Sequence, residues 1–408
     1  MIWRVLSLIT NMEASVQKNE EPTPVSFFHS SLNETRLRVT RQWAQMVLLL
    51  CVFVLTILSL FWAVQFNVEK KMSALTVWVV AFDGQVDPYR SADPIVGPMV
   101  INTTLELIES SGSSLGDQIN SPADFQNDPM AVRQAVYDEH AYAAIIVNSN
   151  ATALLNAAIS QGNTSYNPSG AVLLVTLSAR DPMTYSNYIM PAVDQFKGAV
   201  LSKFGSTWVK FLIDKSFTTL SIVPQAVNPG IGFTTLDLRT FGPAVATPAI
   251  TIGLIYLIII AFFTFPFLMP IHLQYFGGSL STLKMSHWVM WRILSNTGAY
   301  FFLSLFYSLV SLAFQIPLSN PSVPGVVPAR NANGYGSTSF MVYWMLNWVG
   351  MSALGFPCEN IAMVLGFPWS SLFLIFWVIS NVATGFYPLD LAPKFFHWGY
   401  AWPLHRSK

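Results

Sequence analysis

Two uncharged apolar runs, each long enough to cross a bilayer, are separated by the 171 mostly polar residues from Lys70 to Thr240. Met46 to Phe66 is 21 residues without a charge, and Ala244 to Met269 is 26. A helix needs about 20 such residues to cross a hydrocarbon core of ~30 Å. A chain built this way is a membrane protein that carries a folded domain outside the hydrocarbon.

Composition agrees. Only 10% of the 408 residues are charged and the mean hydropathy is +0.46, against about 25% charged in soluble domains. The formal net charge is zero, so there is no basic surplus to condense on nucleic acid, and that class of partner is excluded. The two cysteines, Cys51 and Cys358, lie in or beside apolar segments and offer no disulfide framework. The polar insert contains neither, so its own core must hold it together.

The stretch 1–41 reads as a disordered cytoplasmic tail, with Glu20 to Ser31 proline-bearing and polar. No cleavable leader is expected, because Arg4 interrupts the apolar start. Arg36, Arg38 and Arg41 precede the first span (46–66), whereas Lys70 and Lys71 follow it. The basic excess favours an N-terminus inside and an insert outside. The sequons at Asn102, Asn150 and Asn163 would then be open to glycans, and a fourth lies at Asn33.

Inside the insert (70–240) the periodicity alternates. Leu75 to Phe82, Tyr142 to Val147 and Ala171 to Leu177 are apolar runs of strand length. Helices are expected from Pro98 to Glu109, from the Asp128-Pro129 cap to Asp138, and from Asn150 to Gln161 with Gly162 as the stop. A long amphipathic helix from about Asn187 to Lys215 carries Phe196, Val200, Phe204, Trp208 and Phe211 on one face. Strands alternating with helices give an extracytoplasmic α/β layer domain.

Four spans are expected after it, within 244–387: Ala244 to Met269, Ile293 to Ile316, Phe340 to Phe356 and Ile361 to Tyr387. A polar turn with Lys284 and Arg292 precedes the second of these, and an irregular loop, Asn320 to Gly336, follows it. The link Pro357-Cys358-Glu359-Asn360 separates the last two. The fold class is thus a multi-pass helical membrane protein of one plus four spans. The tail 390–408 is aromatic with flanking bases, the composition of a segment lying in the membrane interface.

Asp83-Gly84 after the first strand, Tyr142-Ala-Ala-Ile-Ile-Val147, and Asp237-Leu-Arg-Thr-Phe-Gly-Pro243 running into Gly253-Leu-Ile-Tyr256 stand out as short strings. So do Glu359-Asn360-Ile-Ala362, Phe386-Tyr-Pro388 and Trp398-Gly-Tyr-Ala-Trp-Pro403. With the order of parts, these make the chain from Trp43 to Pro403 resemble the permease halves of type-2 ABC exporters and phage-infection-protein-like membrane proteins. More narrowly, it is similar to the fungal nitrosoguanidine-resistance family.

That resemblance implies a plasma-membrane protein, or one of an internal membrane, that contributes to resistance against toxic small molecules by export or by altering membrane lipid. It also implies a sixth span after the aromatic tail, so this chain is expected to stop short of it. Partners would be the bilayer, a hydrophobic small molecule or lipid, and a second copy or separate protein. The alternative is a non-transporting scaffold or regulator whose external domain binds a partner.

No P-loop is present, so any ATP-driven motor would be another polypeptide. No nucleophile elbow, His-Glu-x-x-His or paired-Cys site occurs either, and neither an enzyme nor a cofactor is expected. His140 beside Asp138 and Glu139 has metal-ligand residue types, but consecutive residues cannot all face one ion from a helix. The spans as bounded carry no charge, which argues against a proton-coupled pump.

Glu359 is the only formal charge between Asn331 and Leu389. It is expected either in a hairpin turn that caps the helix from Ile361, or as a group that docks a partner or gates the bundle. Asn360 shares that link. Asn347 and Asn381, with Asn296, enter the spans and are expected to hydrogen-bond between helices.

Overall fold

The computed structural model describes residues 26–90, 93–110, 115–215, 222–277, 283–318, 335–366, 368–386 and 388–406. Most of the expected N-terminal tail, nearly all of the 320–336 loop, and the expected sixth span lie outside the described residues. The chain divides into two compact units, Met1–Ile57 and Leu58–Lys408.

The first helix, α1 (Asn33–Val64), starts earlier than the uncharged run: Arg36, Arg38 and Arg41 sit within it and Glu34 in its first turn. The last part of the expected tail, from Asn33 to Arg41, is therefore helical. In the first unit α1 leaves Leu48, Leu50, Val52 and Leu55 exposed, the surface a helix presents to lipid.

The insert folds as an α/β domain around a five-stranded sheet. Its elements in order are β1 (Thr76–Ala81), α2 (Val96–Ser110), β2 (Gly116–Asn120), α3 (Pro129–Tyr137), β3 (Ala143–Val147), α4 (Ala151–Gln161), β4 (Val172–Thr176), α5 (Met190–Lys215) and β5 (Phe233–Asp237). The strand order is β2-β1-β3-β4-β5, with β3 and β4 antiparallel and the other pairs parallel. Val77, Ile145 and Leu174 pack on one face with Val100 of α2, Leu155 of α4 and the α5 stripe Val193, Phe196, Val200, Phe204, Trp208 and Leu212. Val80, Ile146 and Val175 pack on the other face with Val132 and Val136 of α3.

Two strands escape the sequence reading, β2 (GDQIN) and β5 (FTTLD). Both are edges. A central strand covered on both faces is a continuous apolar run, and β3 and β4 are buried along their whole length; an edge strand has no such demand on its sequence.

Asp83 ties the domain together. Its carboxylate, 1% exposed, accepts from the backbone N–H of Thr152 (2.9 Å) and of Gly97 (2.9 Å), and from the Thr152 hydroxyl (2.6 Å). Those N–H groups belong to the first turns of α4 and α2, so a fixed negative charge sits at two helix N-termini. Gly84, at φ 67°, then supplies the left-handed turn that releases the chain from β1. In a sheet of this kind a ligand commonly occupies the place outside the strand ends; here the chain's own carboxylate fills it.

The apolar helices that follow are α6 (Gly253–Gly277), α7 (Met285–Ala313), α8 (Ser339–Leu365) and α9 (Trp369–Gly385). By length and composition α1, α6, α7 and α8 can each cross a membrane, and α9 is a shorter apolar helix. The protein is a multi-pass membrane protein. Two expected boundaries are corrected. The second span begins at Gly253 instead of Ala244, because Pro243 and Pro248 confine the chain before it to short turns. The third begins at Met285, so Arg292 lies inside α7 rather than in a turn.

The third correction is larger. Pro357 does not open a hairpin; it sits inside α8, which runs on to Leu365. Membrane helices tolerate an internal proline when neighbours satisfy the freed carbonyl, and α6 likewise contains Pro266 and Pro270. The break falls at Gly366, whose φ is 67°, with Pro368 two residues on.

The segment after α9 packs onto the rest of the chain. Its short 3-10 turns Leu389–Leu391 and Lys394–Ala401 bury Leu389, Leu391 and Phe396. Trp402 Nε1 donates to Ser380 Oγ (3.0 Å), and Leu404 N donates to Asn381 Oδ1 (3.3 Å). Leu391 belongs to the core of the α/β domain, while Leu404 belongs to the core of the bundle. Apolar residues interleaved with the aromatics give this segment two surfaces to bury, and it packs as a collar.

Candidate functional site

Helices α7 and α8 run antiparallel, tied by Asn347 Nδ2 to Ser308 Oγ (2.9 Å), by Ser311 with Tyr343 (3.1 Å), and by the indoles of Trp344 and Trp348 donating to the carbonyls of Phe301 and Thr297. Without a hydrophobic drive in lipid, such hydrogen bonds and small residues set helix packing. Gly355 lets α8 approach Tyr300 of α7 and Ala261 of α6 closely.

That approach brings Glu359 against Arg292. The two side chains, each 5% exposed, form an ion pair, and Asn296 Nδ2 donates to the other Glu359 oxygen. Arg292 also contacts Met363 Sδ and lies 4.9 Å from the Trp288 ring. Arg292 and Asn296 are one turn apart on a single face of α7, which is why both reach one carboxylate. His272 of α6, buried, accepts from Trp291 Nε1 through Nδ1 at 3.1 Å.

The pair is set back from the helix ends. Arg292 stands about two turns after the start of α7 and Glu359 under two turns before the end of α8, roughly 10 Å deep at ~1.5 Å per residue. A cavity of ≈ 300 Å³ adjoins it, lined by Trp288, Arg292, Asn296, Glu359, Asn360 and Met363 among others. Arg292 Nε is buried with no hydrogen-bond acceptor among the described residues. The site can take an oxygen-bearing group, and it can change state if Glu359 or Arg292 is drawn to another partner.

Of the residues singled out in the sequence, Glu359 and Asn360 meet at this cavity. Asn347 lies elsewhere, in the ladder between α7 and α8. Asn381 is further off again, its Nδ2 on Trp377 O (2.9 Å) and its oxygen holding the collar. The expectation of Glu359 capping a new helix is overturned: it is a mid-helix residue, 4% exposed. The expectation that the spans are free of charge is overturned with it. Arg292 was the residue missed. A lone glutamate in a long apolar stretch demands a counter-charge, and Arg292-x-x-x-Asn296 was the available face.

The sequons differ in setting. Asn102 is exposed on α2, but Thr104 of its sequon is buried with its hydroxyl on Val100 O. Asn150 precedes α4 without capping it, and the hydroxyl of its Thr152 is held by Asp83. Asn163 is exposed in a turn in which its own oxygen accepts from Ser165 N and Oγ (3.0 and 2.6 Å). Among the described residues no group of three or more potential ligands could hold a metal ion.

The family described as "Protein of unknown function (DUF3533)" matches residues 46–408. The chain is also similar to a protein described as "Uncharacterized endoplasmic reticulum membrane protein YJR015W" of Saccharomyces cerevisiae. The two are 24% identical over 403 residues, covering 94% of this chain and 75% of that one. No solved structure matches.

Proposed function

We propose, for a chain that belongs to the DUF3533 family, a permease-like role: a non-enzymatic multi-pass protein that moves a hydrophobic small molecule or lipid, and so contributes to resistance against toxic compounds. The observation that carries this reading is the buried Arg292–Glu359 pair beside an open cavity within the bundle. Ionisable groups inside membrane-spanning helices are costly, and a common reason for keeping them is a substrate or ion pathway. The nitrosoguanidine-resistance and exporter likenesses point the same way.

The endoplasmic reticulum placement of the yeast relative favours an internal membrane over the plasma membrane, with the α/β domain in the lumen. In that orientation Asn163 is the sequon open to modification. Endoglycosidase should shift the protein on a gel, and Asn163→Gln should abolish the shift while Asn102→Gln and Asn150→Gln leave it. A protein unshifted by endoglycosidase, with the domain cut by protease added to the cytosolic side, would reverse the orientation.

The transport reading is tested in sealed vesicles containing purified protein. Movement of a labelled lipid or amphipathic dye is expected with the wild type and is lost with Glu359→Gln. Wild-type vesicles as inert as empty ones, with folded protein in them, would remove the reading. The scaffold alternative would gain if such inert protein instead held a stable co-purified partner through the α/β domain.

A further inference from the structure

The α/β domain contains a second cavity, of ≈ 540 Å³, between the sheet face and helices α2 and α5. That is within the ~300–1,000 Å³ typical of small-molecule sites. Its wall is formed by Val77 and Ile145 of the sheet, Phe196 and Tyr188 on the α5 side, and two acids, Asp117 and Glu69. No Lys or Arg lines it.

Asp117 is in the wrong place for a structural residue. It stands on edge strand β2 in register with Val77, so it shares the face that carries the main apolar core. Burial pushes its carboxyl up to about 6. Neighbouring acids are neutralised: Asp194 pairs with Lys197 at 3.1 Å, and Glu106 pairs with Lys203. Among the described residues neither Asp117 nor Glu69 has a basic partner within ion-pair distance, and no hydrogen bond engages either side chain.

A half-buried carboxylate without a counter-charge, on the wall of an apolar and aromatic cavity, is complementary to one class of ligand. The geometry points to this cavity as a binding site for an amphipathic organic cation: its ammonium head lies between Asp117 and Glu69 and against the Tyr188 and Phe196 rings, and its apolar tail lies along Met72 and Leu107, which are partly exposed in the cavity wall. Aromatic faces add cation–π attraction to the ionic one. Glu69 lies in the 3-10 turn Val68–Ala74, a few residues beyond the end of α1, so the site is close in sequence to the membrane-spanning segment and suits a ligand that partitions into lipid. The site is distinct from the bundle cavity and stands whether or not the bundle transports.

The test uses the full chain in phosphatidylcholine nanodiscs, with empty discs subtracted. Octyltrimethylammonium, octanol and octanoate are titrated by calorimetry. The cation is expected to bind saturably and octanoate not at all, with Asp117→Asn weakening the cation by about tenfold and leaving octanol unchanged. Ala192→Phe, on the cavity wall, should remove binding of cation and alcohol alike. Equal binding of all three probes, or a cation affinity unmoved in Asp117→Asn, overturns the proposal and leaves Asp117 as an inward charge that keeps the β2 edge from pairing.

Discussion

Asp83 in the α/β domain and Glu359 in the helical bundle are both almost wholly buried, 1% and 4% exposed, yet they are held in opposite ways. Backbone N–H groups and one hydroxyl surround Asp83, all from elements whose positions the sheet already fixes. Glu359 is held by a guanidinium and an amide, carried on side chains of another helix. Dipoles bound into a backbone cannot be exchanged for other partners, whereas a side-chain ion pair can break and re-form. The domain's carboxylate is therefore an anchor, and the bundle's is a contact able to change.

The largest test of that contrast removes one partner. Arg292→Ala leaves Glu359 as an uncompensated buried charge and is expected to cost about 3–5 kcal/mol in detergent unfolding. Replacing both, with Arg292→Met and Glu359→Leu, should restore most of that stability, while the lipid or dye movement proposed for the wild type is expected to stay lost. A double variant as unstable as the single would show that the pair is not coupled.

Asp83→Ala comes next. It strands the N–H groups of Gly97 and Thr152 and is expected to lower stability by roughly 3 kcal/mol, with the loss confined to the domain. Hydrogen exchange should show α2 and α4 loosening while α7 and α8 keep their protection. Equal loosening in the bundle would erase the distinction between the two regions.

Gly355→Ala probes how the bundle brings its charges together. A Cβ there would meet Ala261 Cβ at 2.9 Å and run into the Tyr300 hydroxyl, so overpacking of about 1–3 kcal/mol is expected. The measurement is a melting curve, and wild-type stability would mean that α8 can shift freely.

The smallest effect is at Asp117, a carboxylate with neither kind of support. Its folded-state value, raised from 3.8 to about 6, means that the folded protein holds the proton more tightly than the unfolded chain does. Asp117 therefore favours folding most below about pH 4, and that contribution is lost as pH rises through about 6. Asp117→Asn should flatten stability across that window and raise it at pH 7. A wild-type curve already flat from pH 4 to 6 would contradict this.

What could be read from the sequence follows the same division. The central strands β1, β3 and β4 were plain because burial on both faces leaves only apolar residues, while β2 and β5 were hidden because an edge imposes no pattern. The Asp128 cap and the Gly162 stop were visible as local chemistry, and the structure places both at helix ends. The Glu359 site was half visible. The charge stood out, but its partner lay on a helix whose start was misplaced, and Pro357 in an apolar run looks the same whether it turns the chain or is absorbed by its neighbours.

The collar has a bearing on how the protein is made. Leu391 belongs to a core whose first residue in the chain is Val68, and ribosomes deliver it only after α6 to α9 have been synthesised. Until then the core of the α/β domain lacks that residue. The collar thus joins the two cores late in synthesis, Leu391 entering the domain's and Leu404 the bundle's.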